Sequence, residues 1–239
     1  MALGFLPRPK RQVPHPAIQP RLLRLFRDAV VKAWELIVAS PPPGFNLAKA
    51  SEINVNAVLY TTLVNEVLVR GLVPGFTTSL FCVTPTPGLR AYDGKKLEKR
   101  PDLFIHLIPT RATAYPDVDG MFIECKPIDR DHAVGEHYCD LGLRRFIAGE
   151  YAWAMREGMM VGYARKGYLL PGALTKFLSR GSRPKTIPLL TGPKPVYRGG
   201  ATTYSQVPHV STHSRDFKYM HSGAAAPEIT IYHLWLTRA

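Results

Sequence analysis

An acidic residue two positions before a lysine recurs three times in this chain, at Asp93-Gly94-Lys95, Glu124-Cys125-Lys126 and Asp216-Phe217-Lys218. Only the middle copy closes an apolar run, Met121-Phe122-Ile123. Only it follows a Pro-Asp, Pro101-Asp102, that opens another apolar run, Leu103 to Leu107. On a strand, side chains alternate between faces, so Glu124 and Lys126 share one face and Cys125 takes the other. Two adjacent strands would then set Asp102 beside Glu124, with an ammonium group at the edge of the pair. Two carboxylates held together repel unless a cation neutralises them or one takes up a proton. A hard divalent ion, Mg²⁺ or Mn²⁺, is the natural neutraliser, since such ions prefer oxygen ligands. That chemistry is hydrolysis at phosphorus. Asp102, Glu124 and the backbone carbonyl of Cys125 would be ligands, and Lys126 would orient water or offset developing charge. The Cys125 thiol is expected to face the core.

A third acid belongs to a helix upstream. Glu52 and Glu66 are fourteen residues apart, which returns them to nearly one helical face but separates them by about 21 Å at 1.5 Å per residue. Only one of them reaches the ion, and spacing alone does not choose between them. The Pro116-Asp117 pair lies too close to Glu124 to open a separate strand and is expected to form a turn.

The elements that position these groups follow from periodicity. Residues 21–39 carry apolar residues at three- and four-residue spacing, which predicts an amphipathic helix stopped by Pro41-Pro42-Pro43-Gly44. A second helix is expected from Ser51, a suitable N-cap, to Arg70. Strands are expected at Thr78 to Val83, Asp102 to Ile108 and Gly120 to Lys126. A long helix from His132 to Glu157, interrupted near Gly149, leads to a buried strand over Met159 to Ala164. A short helix at Ala173 to Leu178, a Pro- and Gly-rich basic stretch to about Thr203, and a final strand over Glu228 to Leu236 complete the chain. The expected fold is α/β: a mixed central β-sheet flanked by helices, in the order αβββαβ, with an added N-terminal helix and C-terminal strand. Residues 1–20, rich in proline and basic residues, read as an arm; residues 21–239 read as a single domain.

The net charge of +13 over 239 residues favours a polyanionic partner. No apolar run reaches the ~18 residues of a membrane span, and the N-terminus lacks the apolar segment of a secretory signal. Three cysteines, Cys82, Cys125 and Cys139, suggest a reducing compartment rather than a disulfide framework, so a cytoplasmic protein with no membrane partner is expected. Cys125, His132, His137 and Cys139 have the spacing of no common zinc site. The basic loop Lys95, Lys96, Lys99 and Arg100, just before Asp102, and His213 with Arg215 in a basic C-terminal loop, are candidate nucleic-acid contacts. His106 shares the Asp102 face and could approach a phosphate, but a satisfied core or edge histidine is its commoner role. Tyr151, Trp153 and Tyr163 are expected to pack rather than stack on bases.

With Pro101-Asp102 on one strand, Glu124-Cys125-Lys126 on the next, a helix from Ser51 before them and a helix and strand after, the chain resembles the PD-(D/E)XK, or restriction-endonuclease-like, nuclease superfamily. Arg144-Arg145-Phe146-Ile147, Gly149, Tyr151, the stretch 158–163 and Ser211-Thr212-His213-Ser214-Arg215 resemble an uncharacterised bacterial branch of it. The resemblance implies metal ligation by Asp102 and Glu124, catalysis assisted by Lys126, and Glu52 rather than Glu66 as the helix acid. Many relatives carry a glutamine or similar residue on the helix after the lysine, where this chain has Glu136 and His137. The implied activity is cleavage of phosphodiester bonds in DNA, in restriction or anti-phage defence. The rival readings are a non-catalytic nucleic-acid-binding protein and an interaction subunit that docks a partner protein. Relatives often act as homodimers, though nothing in this chain marks a dimer face.

Overall fold

In the computed structural model, residues 13–85, 92–93, 100–108, 113–180, 185–196, 201–220 and 222–238 are described. Lys95, Lys96 and Lys99 lie outside them, as do residues 1–12 of the expected arm.

Helix α1 (Pro20–Ala39) opens with proline at its first turn, where a missing N–H costs nothing. It buries Phe26, Ala33 and Trp34 completely. Burial of one such large apolar side chain contributes roughly 1.5–3 kcal/mol, so this stripe fixes the helix to the sheet. Ser51 caps α2 (Glu52–Thr62) by accepting from the Asn54 N–H, and the helix widens into a π-helical end at Leu63–Leu68. Strands β1 (Phe81–Thr84), β2 (Leu103–Leu107) and β3 (Gly120–Ile128) form an antiparallel meander. A π-helical segment, Val134–Leu143, and its short α-helical end α3 (Arg144–Ile147) then return the chain to β4 (Glu157–Arg165), parallel to β3. After the short turn Pro171–Thr175 and α4 (Lys176–Leu178) come β5 (Leu189–Pro195), β6 (His209–His213) and β7 (Ile229–Arg238). The sheet is mixed and seven-stranded, in the order β1-β2-β3-β4-β7-β6-β5. No helix among the described residues is long and apolar enough to cross a membrane.

The α/β class and the expected order of helices and strands hold through β4. The boundaries shift for local reasons. The Thr77 carbonyl accepts from the Leu80 and Phe81 N–H groups, so a turn occupies the first part of the expected strand and β1 starts at Phe81. The long helix ends at Ile147, because Gly149 adopts φ +70° and the Glu150 N–H closes back on the Arg145 carbonyl. Glu157, expected to end that helix, opens β4 instead. Two strands are additional. β5 contains Gly192-Pro193 and Pro195, tolerated because it is the edge strand of the sheet. β6 replaces the expected C-terminal loop. The described part of the arm lies on the domain: His15 is fully buried against Asp119, and the Ile18 N–H donates to Glu157.

Candidate active site

β3 runs beyond the end of β2. The β2–β3 ladder stops at Leu103 opposite Ile123, whereas β3 continues on its other side along β4 to Ile128. This leaves a notch beside residues 124–128, and the candidate site occupies it. Asp102, one residue before β2 rather than within it, stands at the level of Glu124. Its Oδ2 accepts from the Cys125 N–H at 2.7 Å, capping a β3 amide that the departing strand leaves open.

Glu124 and Lys126 share the face covered by the π-helical segment. Gly142 permits that approach, since a Cβ there would stand 2.6 Å from Met160 Cε and 3.5 Å from Lys126 Cγ. Lys126 Nζ is 3.1 Å from Glu124 Oε1 and 2.5 Å from Glu52 Oε1. Glu66, by contrast, pairs with Arg70 on the helix surface, far from the notch. The structure thus brings Asp102, Glu124, Lys126 and Glu52 together and leaves Glu66 out. Cys125 points the opposite way: its thiol is fully buried, and burial followed by the Asp102 charge pushes its pKa well up. Arg100 is exposed beside Asp102. His106 Nε2 lies 2.9 Å from the Pro116 carbonyl at the mouth of the short 3₁₀ turn Pro116–Val118, on β2 between β1 and β3.

A fifth residue, Arg145 on α3, belongs to the Arg144-Arg145-Phe146-Ile147 stretch but is assigned no role by the sequence reading. Its Nη1 donates to Glu124 Oε1 at 3.1 Å and to the Tyr151 hydroxyl at 2.5 Å, and Tyr151 donates onward to the Arg100 carbonyl. Its sequence signals are that stretch and a cation set among Leu143, Phe146 and Ile147, all of which are buried.

The electrostatics are those of a crowded acid site. The Glu124 side chain is 1% exposed, and its Oε2 has no hydrogen-bond partner among the described residues. Burial, then the Asp102 charge, raises the Glu124 carboxyl to about 7 against the opposing pull of Lys126 and Arg145. Burial likewise raises Asp102 from its ordinary value, despite Lys126 and the Cys125 N–H. Burial alone would depress the Lys126 ammonium, but Glu124, Asp102 and Glu52 together hold it above its ordinary value. Tyr151 is raised by burial and by Glu124, so it stays a donor. Three carboxyls and two cations share this notch. Among the described residues no three His, Cys, Asp or Glu side chains form a group ready to hold a metal ion. The ammonium of Lys126 stands between Glu52 and Glu124 instead.

The expected nucleic-acid contacts at His213 and Arg215 are overturned. His213 is fully buried on β6, 2.7 Å from Ser211 Oγ, which also meets His233 Nε2 at 2.7 Å; the Tyr138 hydroxyl stands 2.9 Å from His233 Nδ1. The Arg215 guanidinium is turned inward and donates to the carbonyls of Pro227, Ala152, Trp153 and Met155. Both residues are spent on internal polar groups, which is why the run looks like a basic loop in sequence and is not one. Tyr151, Trp153 and Tyr163 pack as expected, Tyr163 stacking on Trp34 and donating to Asn56. His132 and His137 approach each other, and His132 Nδ1 is held by Asp129, but neither buried cysteine joins them. No family model matches this chain, and no curated protein or solved structure does.

Proposed function

We propose that this protein is a metal-dependent nuclease of the PD-(D/E)XK type, hydrolysing phosphodiester bonds in DNA. The reading is carried by one observation: a half-buried Asp102 just before β2 at the level of a buried Glu124 within the adjacent antiparallel β3, with Lys126 on the Glu124 face and Glu52 reaching in from the preceding helix. The order αβββαβ and the charge of +13 support it.

The donor set suits a hard divalent ion. Glu124 Oε2 is buried without a hydrogen-bond partner among the described residues, and a cation is the partner that would end its destabilisation. Asp102, Glu124 and Glu52, with the Cys125 carbonyl, would hold Mg²⁺ or Mn²⁺. When bound, the ion supplies Lewis-acid stabilisation of charge on the phosphate and a lowered water pKa. The chain's own groups do the rest. Lys126, whose ammonium form the surrounding carboxyls favour, offsets charge building on a non-bridging oxygen and orients the attacking water. The Cys125 N–H holds the Asp102 carboxylate in place, and Arg145 holds Glu124.

The test is incubation of the purified protein with plasmid and single-stranded DNA in Mg²⁺, Mn²⁺ or EDTA. Metal-dependent cutting is expected, lost in Asp102→Ala, Glu124→Ala, Lys126→Ala and Glu52→Ala and retained in Glu66→Ala. Cutting that survives the first three substitutions would remove this site from the reaction. A second reading, a non-catalytic nucleic-acid-binding protein, is favoured by the Lys126 ammonium sitting between Glu52 and Glu124. It predicts salt-sensitive DNA binding with no cleavage in any metal.

A further inference from the structure

We infer that Arg145 is a substrate-binding residue of this site, whose Nε–Nη2 edge grips a phosphate of the bound nucleic acid next to Glu124 and Lys126. The inference rests on the nuclease reading and adds to it a residue that neither the strand motif nor the helix acid includes.

The geometry divides the guanidinium into two halves. Nη1 has two hydrogens, and both are committed, one to Glu124 Oε1 at 3.1 Å and one to the Tyr151 hydroxyl at 2.5 Å. Nε and Nη2 make no hydrogen bond among the described residues, although the side chain is only 29% exposed. Neither atom is cut off from water, so this edge opens to solvent and is accessible to an incoming anion. That edge has the fork geometry that matches two oxygens of one phosphate.

The fork is also held ready. The Tyr151 ring lies beneath the guanidinium carbon at 5.8 Å, and its hydroxyl is anchored in turn on the Arg100 carbonyl, two residues before Asp102. The rotamer is therefore set before substrate binds, which spares the entropy a free arginine would lose. Lys126 Nζ and Arg145 Nη1 both meet the same Glu124 oxygen at 3.1 Å, so two cations converge on one point of the notch. A monoanionic phosphodiester fits that convergence. The competing view is that Arg145 is a positioning residue only, neutralising Glu124 and tying α3 to the segment before β2.

Salt dependence separates the two. Fluorescence anisotropy with a labelled duplex oligonucleotide, in Ca²⁺ to hold the complex without turnover, gives the slope of log affinity against log salt for wild type, Arg145→Gln and Tyr151→Phe. Loss of one phosphate contact lowers that slope by about 1. We expect this drop in Arg145→Gln, with about tenfold weaker binding at 100 mM salt, and an unchanged slope in Tyr151→Phe, which loses the anchor but keeps the cation. An Arg145→Gln slope equal to wild type, or an equal drop in both variants, would overturn the inference while leaving the nuclease reading intact if the wild type still cuts. A wild type that neither binds nor cuts would defeat both.

Discussion

Glu124 ties the proposed chemistry to a quantity that needs no activity assay. Its folded-state carboxyl is raised from 4.5 to about 7 by burial and by Asp102. Between those values the folded protein keeps a proton that the unfolded chain has released, so stability from this group is present at low pH and is lost as pH rises through 7. The shift corresponds to roughly 3 kcal/mol in full, of which roughly 2 to 3 kcal/mol falls between pH 5 and pH 8. The molecule holds opposing groups. His233, buried beside His213 and His209, is pushed well below its ordinary value by burial, and its contribution runs the other way, lost as pH falls below 6.5. Asp129, lowered chiefly by the His132 and Asp131 hydrogen bonds that outweigh its burial, loses its contribution at still lower pH. These remain in a Glu124→Gln variant, so the difference between wild type and variant isolates Glu124. Urea unfolding of both proteins in EDTA at pH 5, 6, 7 and 8 is the measurement. The variant should gain on wild type by roughly 2 to 3 kcal/mol across that range. A difference that stays flat from pH 5 to pH 8 would show that Glu124 titrates as an ordinary carboxylate and would refute the crowded-acid account of the site.

Three further outcomes follow from the same geometry. Because Lys126 Nζ lies against both Glu52 and Glu124, Lys126→Met should bind Mn²⁺ at least tenfold more tightly at pH 8, about 1.4 kcal/mol, even though it cannot cut; calorimetric titration showing equal or weaker binding would contradict this. Arg215→Ala should cost about 3 kcal/mol or more in denaturant unfolding, since four carbonyls lose a buried donor, and it should leave the salt slope of DNA binding unchanged. Gly120→Ala should cost roughly 3 kcal/mol, because a Cβ there would stand 2.2 Å from the Ile105 carbonyl oxygen, which cannot move without breaking the β2–β3 ladder; a variant as stable as wild type would show that the ladder yields.

The helices and the strands that frame the notch were legible because their signals are local. Apolar spacing marks α1 and α2, Ser51 marks a cap, and the runs after Asp102 and before Glu124 mark β2 and β3. Alternation along β3 was enough to put Glu124 and Lys126 on one face and Cys125 on the other. β5 and β6 were illegible for the converse reason: prolines and histidines mask a strand whose polar groups are satisfied only by neighbours far along the chain. Arg215 looked like a surface cation because nothing nearby in sequence announces the carbonyls of residues 152–155 that receive it.

The choice of Glu52 over Glu66 shows where the boundary lies. Helical periodicity allows both, and the decision depends on where α2 sits relative to the end of β3, a distance set by packing across 74 residues of sequence. Arg145 reached Glu124 for the same reason, by the return of α3 over the sheet. Periodicity is a property of neighbouring backbone units and can be read along the chain. The meeting of three acids and two cations depends on long-range burial, and only the folded molecule brings their charges close enough to shift one another.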